Sequence, residues 1–199
     1  GIGEQLSVSG NRLAEKPTVL VYSRLFEFDV ARLVAILAGV VTAVPQVRIL
    51  MVGAGLYEDD AATFRQQAKA AGIWQAIDDT GWVEVDELPA LLAQAHVGIY
   101  LMEDTLLNRT KCPVKLADML AVGVPVVAEA VGQVTEYVVN GRTGTTFPTG
   151  DIPSITAELI NILQNPAKQA QLSAGAKAHI AEQFSWEQLA TRLLPIYNS

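Results

Sequence analysis

Cysteine is almost missing from this 199-residue chain: Cys112 stands alone. An internal disulfide is therefore excluded, and so is a structural zinc site built on cysteines. Histidine is nearly as rare. His96 and His179 lie far apart in sequence, lack ligand spacing, and read as incidental. Positive charge is also scarce, with 14 Lys and Arg against 21 Asp and Glu and a formal charge of −7. A nucleic-acid or anionic-membrane surface needs net or clustered cations, so neither is expected as the main partner. A small anionic ligand needs only a few cations in one place. No apolar run is long enough to span a bilayer. The longest, LVAILAGVVTAV at 33–44, reads as a helix buried on most of its surface. No signal peptide opens the chain, and the expected location is a reducing cytoplasm. Residues 1–16, polar and irregular, read as a tag remnant or interdomain linker.

What is present is half apolar, ample for one well-buried core. Strand-like and helix-like segments alternate. Short β-branched or apolar strands are expected at 18–23, 47–53, within 76–82, and at 97–102, 125–130 and 143–147. Helices are expected between them at 29–44, 59–72, 85–95, 113–123 and 135–141. In this reading Asp86 caps the third, and Pro113 is the first residue of the fourth. Three more helices close the chain, around 152–164, 166–183 and 186–196. The aromatic-rich last one reads mostly as core, or as a docking face for another domain. The order implies α/β class: a Rossmann-like open parallel sheet covered by helices on both faces.

In such sheets ligands bind beyond the C-terminal ends of the strands. That edge collects Arg24, Gly53, Ala54, Gly55, Gly81, Trp82, Val83 and then the stretch NRTKCPVKLAD at 108–118. Arg24, Arg109, Lys111 and Lys115 all fall there, and a helix beginning near Pro113 aims its N–H groups the same way. A bound diphosphate explains the cations. Solvated lysines with an ordinary Lys115–Asp118 pair on one helix face explain them too.

Other chemistries fit less well. GAGLYE at 53–58 starts like a dinucleotide fingerprint, but Glu58 stands at its third glycine and Asp59 and Asp60 follow. Three carboxylates at that helix start would repel a pyrophosphate. The acidic pairs at 77–80 and 84–86 read as capping and solvation, without a second cluster to complete a metal site. Neither a P-loop nor a Gly-x-Ser-x-Gly elbow occurs.

VLVYSRL, VRILMVGAG, DDTGWVEVDELPALLAQAHVGIYL, VKLADMLAVGVPVVAEAVGQVTEYVVNGRTG and FSWEQLATRLLPIY occur in one order. In that order the chain resembles the C-terminal, donor-binding domain of family 4 (group 1) glycosyltransferases, from about Pro17 to Tyr197. The resemblance implies the C-terminal half of a GT-B fold, with residues 17–199 as a nucleotide-sugar-binding domain and its helical tail. It implies a retaining transfer from a nucleoside diphosphate sugar, which is substrate and not cofactor, with no metal. Arg24 would sit against the diphosphate, and Gly81, Trp82 and Val83 would border the base. Asp118 would meet the ribose where the family usually has Glu, and the backbone of Lys111, Cys112, Pro113 and Val114, with the N–H groups of all but the proline, would hold phosphate. Arg24 and Lys115 are the implied catalytic cations, with Gly53 and Gly55 beside them.

Two positions depart from the family pattern. Thr110 replaces the first Glu of the Glu-x7-Glu pair, and Asp29 replaces a lysine. Arg109, Lys111 and Lys115 are the candidates to replace that cation, and the Lys-x-x-acid helix resembles a subset of these enzymes. The implied partner is an N-terminal acceptor-binding domain, without which the chain would transfer nothing. Peripheral membrane association would belong to the intact enzyme only. A degenerate nucleotide-binding module and a nucleotide-sugar epimerase are the alternatives.

Overall fold

The computed structural model describes residues 13–54 and 58–197. Six strands form one sheet: β1 (Thr18–Tyr22), β2 (Arg48–Val52), β3 (Ile77–Asp79), β4 (Val97–Tyr100), β5 (Val126–Glu129) and β6 (Gly144–Phe147). Their order is β3-β2-β1-β4-β5-β6, and every pair is parallel. The chain winds one way from β1 to β3 and the other way from β4 to β6. The reversal lies between β1 and β4, where Val19 faces Val97 and Val21 faces Ile99.

Alternation along the strands sorts side chains to two faces. Val19, Val21, Ile49, Met51 and Ile99 pack with Leu33 and Leu37 of α1 (Val30–Ala43) and with Ile155 and Leu159 of α7 (Ile152–Gln164). Leu20, Leu50, Val52 and Val126 pack with Leu116, Met119 and Leu120 of α5 (Val114–Ala121) and with Ala176 and Ile180 of α8 (Pro166–Phe184). Both faces are covered, which is why the central strands read as unbroken apolar runs.

The remaining helices are α2 (Glu58–Ala70), α3 (Leu88–Leu92), α4 (Leu106–Arg109), α6 (Val134–Tyr137) and α9 (Trp186–Tyr197). Asp29 caps α1 by accepting the Ala31 N–H at 2.9 Å. Several local expectations are corrected. Helix α3 starts after Glu87, not Asp86, and has no side-chain cap. Pro113 is the N-cap of α5 and not its first residue. Helix α4 was not expected; Thr105 Oγ1 closes it by accepting the Asn108 N–H at 3.2 Å. The last helix is not core. Helix α9 packs along α8 and leaves Trp186, Leu193, Leu194 and Tyr197 exposed. Both histidines serve the fold: His96 Nδ1 accepts the Thr18 N–H, and His179 Nε2 meets the Glu136 carbonyl. Among the described residues no helix is long and apolar enough to cross a membrane.

Candidate functional site

The chain leaves β1 through a strained turn. Leu25 adopts φ 65, the one non-glycine in the left-handed region among the described residues. Such a backbone costs about 1–2 kcal/mol. It is held because the Leu25 side chain is fully buried and its N–H donates to Ser23 Oγ at 3.0 Å. The turn pushes Arg24 outward at the reversal of strand order, and Arg24 makes no hydrogen bond or ion pair with any described residue.

Across the gap, the loop before α5 delivers Lys111 and the first turn of α5 delivers Lys115. Lys111 Nζ lies 3.2 Å from Glu27 Oε1 and 4.9 Å from the Phe26 ring centroid. Lys115 Nζ sits 5.2 Å from the Tyr22 ring centroid. Burial pushes the Lys115 ammonium down to about 8, with Glu27 opposing the shift and Arg24 adding to it. One helical turn on, burial pushes the Asp118 carboxyl up to about 6, with Lys115 partly offsetting it. Lys115 and Asp118 share a helix face without forming an ion pair, so the simple surface pair considered above is not what the helix holds.

Two hollows meet at Arg24 and Lys115. The first, about 200 Å³, is walled by those two with Phe26, Glu27, Tyr100, Lys111, Cys112, Pro113 and Val114. The second, about 100 Å³, is more apolar, with Tyr22, Val52, Gly53, Trp82, Val83, Val85 and Leu88. Trp82 is three-quarters exposed at its rim. Gly53, at φ 71, donates its N–H to the Gly81 carbonyl at 3.0 Å, so the turns after β2 and β3 are tied together. Asp79 accepts the Gly81 N–H, a capping role. Gly55 lies outside the described residues.

Not every expected residue reaches the hollows. Arg109 is turned away: its guanidinium makes a two-pronged contact with Asp104, and this bond holds the Asp104 carboxyl below its usual range. Its backbone instead presses on Gly132, where a Cβ would lie 2.5 Å from the Arg109 carbonyl oxygen. Gly132 therefore serves chain packing. The Thr110 hydroxyl donates to the Leu107 carbonyl at 2.9 Å. The Lys111 and Val114 N–H groups donate to the Asn108 and Cys112 carbonyls. That leaves the N–H groups of Cys112 and Lys115 as the open donors at the start of α5. Asp29, in capping α1, is likewise committed to the fold.

The sequence reading missed Glu27 and Tyr22 altogether. Glu27 had a signal, since it is the one charged residue inside an otherwise apolar Leu-Phe-Glu-Phe run directly after Arg24. Among the described residues no group of three His, Cys, Asp or Glu is placed to hold a metal ion.

Three cations, open backbone donors at a helix start and a flanking apolar hollow thus lie together at the switch point of a parallel, Rossmann-like sheet. Residues 4–179 match the family described as glycosyl transferases group 1, and the chain belongs to that family. It is 29% identical over 164 residues to the GDP-mannose-dependent monoacylated alpha-(1-6)-phosphatidylinositol monomannoside mannosyltransferase of Corynebacterium glutamicum, covering 80% of this chain and 41% of that protein. The chain thus spans less than half the length of that relative. Among solved structures, S. aureus TarM in a complex that includes UDP superposes with a TM-score of 0.78 at 15% identity, over 98% of this chain and 38% of that one. The C-terminal domain of a glycosyl transferase group 1 family protein (LpcC) from Francisella tularensis gives 0.72 at 11% identity, over 87% of this chain and 88% of that one. These likenesses show the fold that the chain shares with GT-B glycosyltransferases.

Proposed function

We propose that residues 17–199 form the donor-binding domain of a retaining glycosyltransferase, which takes a nucleoside diphosphate sugar and passes its sugar to an acceptor held by another domain. The observation that carries this is the convergence of Arg24, Lys111 and Lys115 with the open N–H groups of α5 at the sheet's switch point. A diphosphate placed there meets three cations, and the leaving group's developing charge is what such contacts stabilise. The apolar hollow beside Trp82 and Val83 takes the base. Asp118, one turn into α5, takes the ribose hydroxyls. The relative named above points to GDP-mannose, and UDP is the nucleotide of the superposed complex.

Titrating the protein with UDP, GDP and ADP, free and sugar-linked, tests the reading by amide chemical shifts. Saturable shifts are expected at Arg24, Trp82 and residues 110–118 for one base. Binding is expected to be weak without the acceptor domain, which closes such sites. Silence across the panel in both this chain and its full-length protein would overturn the reading. Binding without turnover in the full-length protein would mark a non-catalytic module.

The two shifted groups set a pH window. Lys115 attracts the diphosphate only while protonated, so its contribution is complete below about 8 and lost as pH rises. Asp118 accepts from ribose hydroxyls only while ionised, so its contribution is complete above about 6 and lost as pH falls. Affinity for a sugar-linked nucleotide, whose diphosphate does not titrate here, is expected to plateau between those values. Each limb falls by at most about tenfold per pH unit, the limit for one proton. Lys115→Arg should flatten the alkaline limb, because a guanidinium stays charged. A flat profile from pH 5 to 9 would remove both residues from the site.

A further inference from the structure

Glu27 is out of place in a site built only to attract anions. Its carboxylate is largely buried in the wall of the larger hollow, 3.2 Å from Lys111 Nζ, and its field also acts on Lys115. It is not a side chain on a loose loop. The Glu27 carbonyl accepts the Glu103 N–H at 2.9 Å and Asn108 Nδ2 at 3.3 Å, which pins the segment to α4 and the end of β4. A carboxylate so fixed opposes every bound phosphate charge. Simple pairing of Lys111 does not require it to face the hollow.

Charge counting gives it a use. Arg24, Lys111 and Lys115 supply three positive charges to this wall and Glu27 one negative, a formal sum of +2. Asp118, which the donor-domain reading places on the ribose, is not part of this wall and acts equally on the free and the sugar-linked nucleotide. The diphosphate bridge of a nucleotide sugar carries two negative charges. A free nucleoside diphosphate carries a third above neutral pH, because its terminal phosphate ionises again near pH 6. Repulsion from a fixed carboxylate grows with ligand charge. Removing the sugar thus adds a charge that the wall is not built to match.

We propose that Glu27 is a specificity-determining residue that matches the site to a sugar-linked diphosphate and weakens its hold on the free nucleoside diphosphate left after transfer. The proposal rests on the donor-domain reading and deepens it: the carboxylate eases product release at the expense of some donor affinity.

The test is calorimetric binding at pH 7, where Lys115 is still charged and a terminal phosphate is mostly ionised, of wild type, Glu27→Gln and Glu27→Asp to UDP, UDP-glucose, GDP and GDP-mannose. Glu27→Gln keeps the shape and the backbone anchors and removes the charge. It is expected to tighten the free diphosphate more than its sugar ester, shifting the ratio of the two dissociation constants by roughly three- to tenfold, the scale of one unit charge near a partly solvated site. Glu27→Asp should keep the wild-type ratio. If Glu27 merely held Lys111 in place, Glu27→Gln would weaken both ligands alike; that result overturns the proposal, and so does equal tightening of both. Wild-type binding with an unchanged ratio in the variant sinks the Glu27 assignment alone. If neither this chain nor its full-length protein binds any of these four or ADP and its sugar ester, the donor reading and this proposal fall together.

Discussion

Glu129→Ala is expected to cost the domain about 3–5 kcal/mol, the usual cost of removing one partner from a buried ion pair. The Glu129 side chain is completely buried at the end of β5. Its Oε2 accepts the Met102 N–H at 2.7 Å and Arg32 Nη2 at 3.1 Å, and its Oε1 accepts the Gly150 N–H at 2.8 Å. Arg32 Nε lies 3.0 Å from Oε1, within ion-pair reach but off-line for a hydrogen bond. One carboxylate therefore joins the end of β4, α1 and the entry to α7. Alanine would leave the buried Met102 N–H and the part-buried Gly150 N–H without their acceptors, and a guanidinium, one-tenth exposed, with only Glu103 at 2.8 Å. For a chain of this size the melting temperature should drop roughly 6–20 °C. Glu129→Gln keeps the volume and one acceptor oxygen, and should fall between wild type and alanine. Urea or thermal unfolding measures both variants. A loss below about 1 kcal/mol for alanine would mean that water takes over the partners, and that the carboxylate is not the clasp described here.

Nothing in the sequence announced that clasp. Glu129 sits at the end of a Pro-Val-Val-Ala run, and Arg32 and Glu103 lie far from it along the chain. Strand and helix periods are local properties, so 18–22 and 30–43 could be read directly. A parallel sheet buried on both faces leaves little freedom in how those elements stack, so the fold class was legible as well. Ion pairs that join β5 to α1 depend on where the chain returns in space. The same division runs through the site. Arg24, Lys115 and Trp82 could be placed because each follows a strand end or opens a helix. Arg109 could not, because Asp104, five residues earlier, captures it across a helix too short to show a period. Of the open backbone donors, the expected span 111–114 contains Cys112 but not Lys115. Which N–H groups remain free depends on how α4 and the loop after it close, and Pro113 as N-cap shifts that count. Glu27 escaped for a different reason: a reading that looks for cations passes over the carboxylate that tempers them.

Arg24→Ala should behave in the opposite way to Glu129→Ala, and the contrast separates fold from function. Arg24 is exposed and has no hydrogen-bond or ion-pair partner among the described residues, so its loss should change stability by no more than about 0.5 kcal/mol. The energy stored nearby lies in the Leu25 backbone and the Ser23 contact, which the variant leaves intact. On the donor-domain reading, the guanidinium gains its partner only when a diphosphate is present, and it gains most as negative charge builds on the leaving group. Removing one such contact costs about 2.7–4 kcal/mol in the transition state, or 10²–10³ in turnover. In the full-length protein the loss should therefore appear in kcat as well as KM, because the interaction strengthens between ground state and transition state. Arg24→Lys should recover part of it, since an ammonium keeps the charge but loses the planar two-pronged geometry. Wild-type-like turnover in Arg24→Ala would remove Arg24 from the chemistry and leave Lys111 and Lys115 to carry the diphosphate. A large loss of stability would show instead that the strained turn needs the side chain it displays.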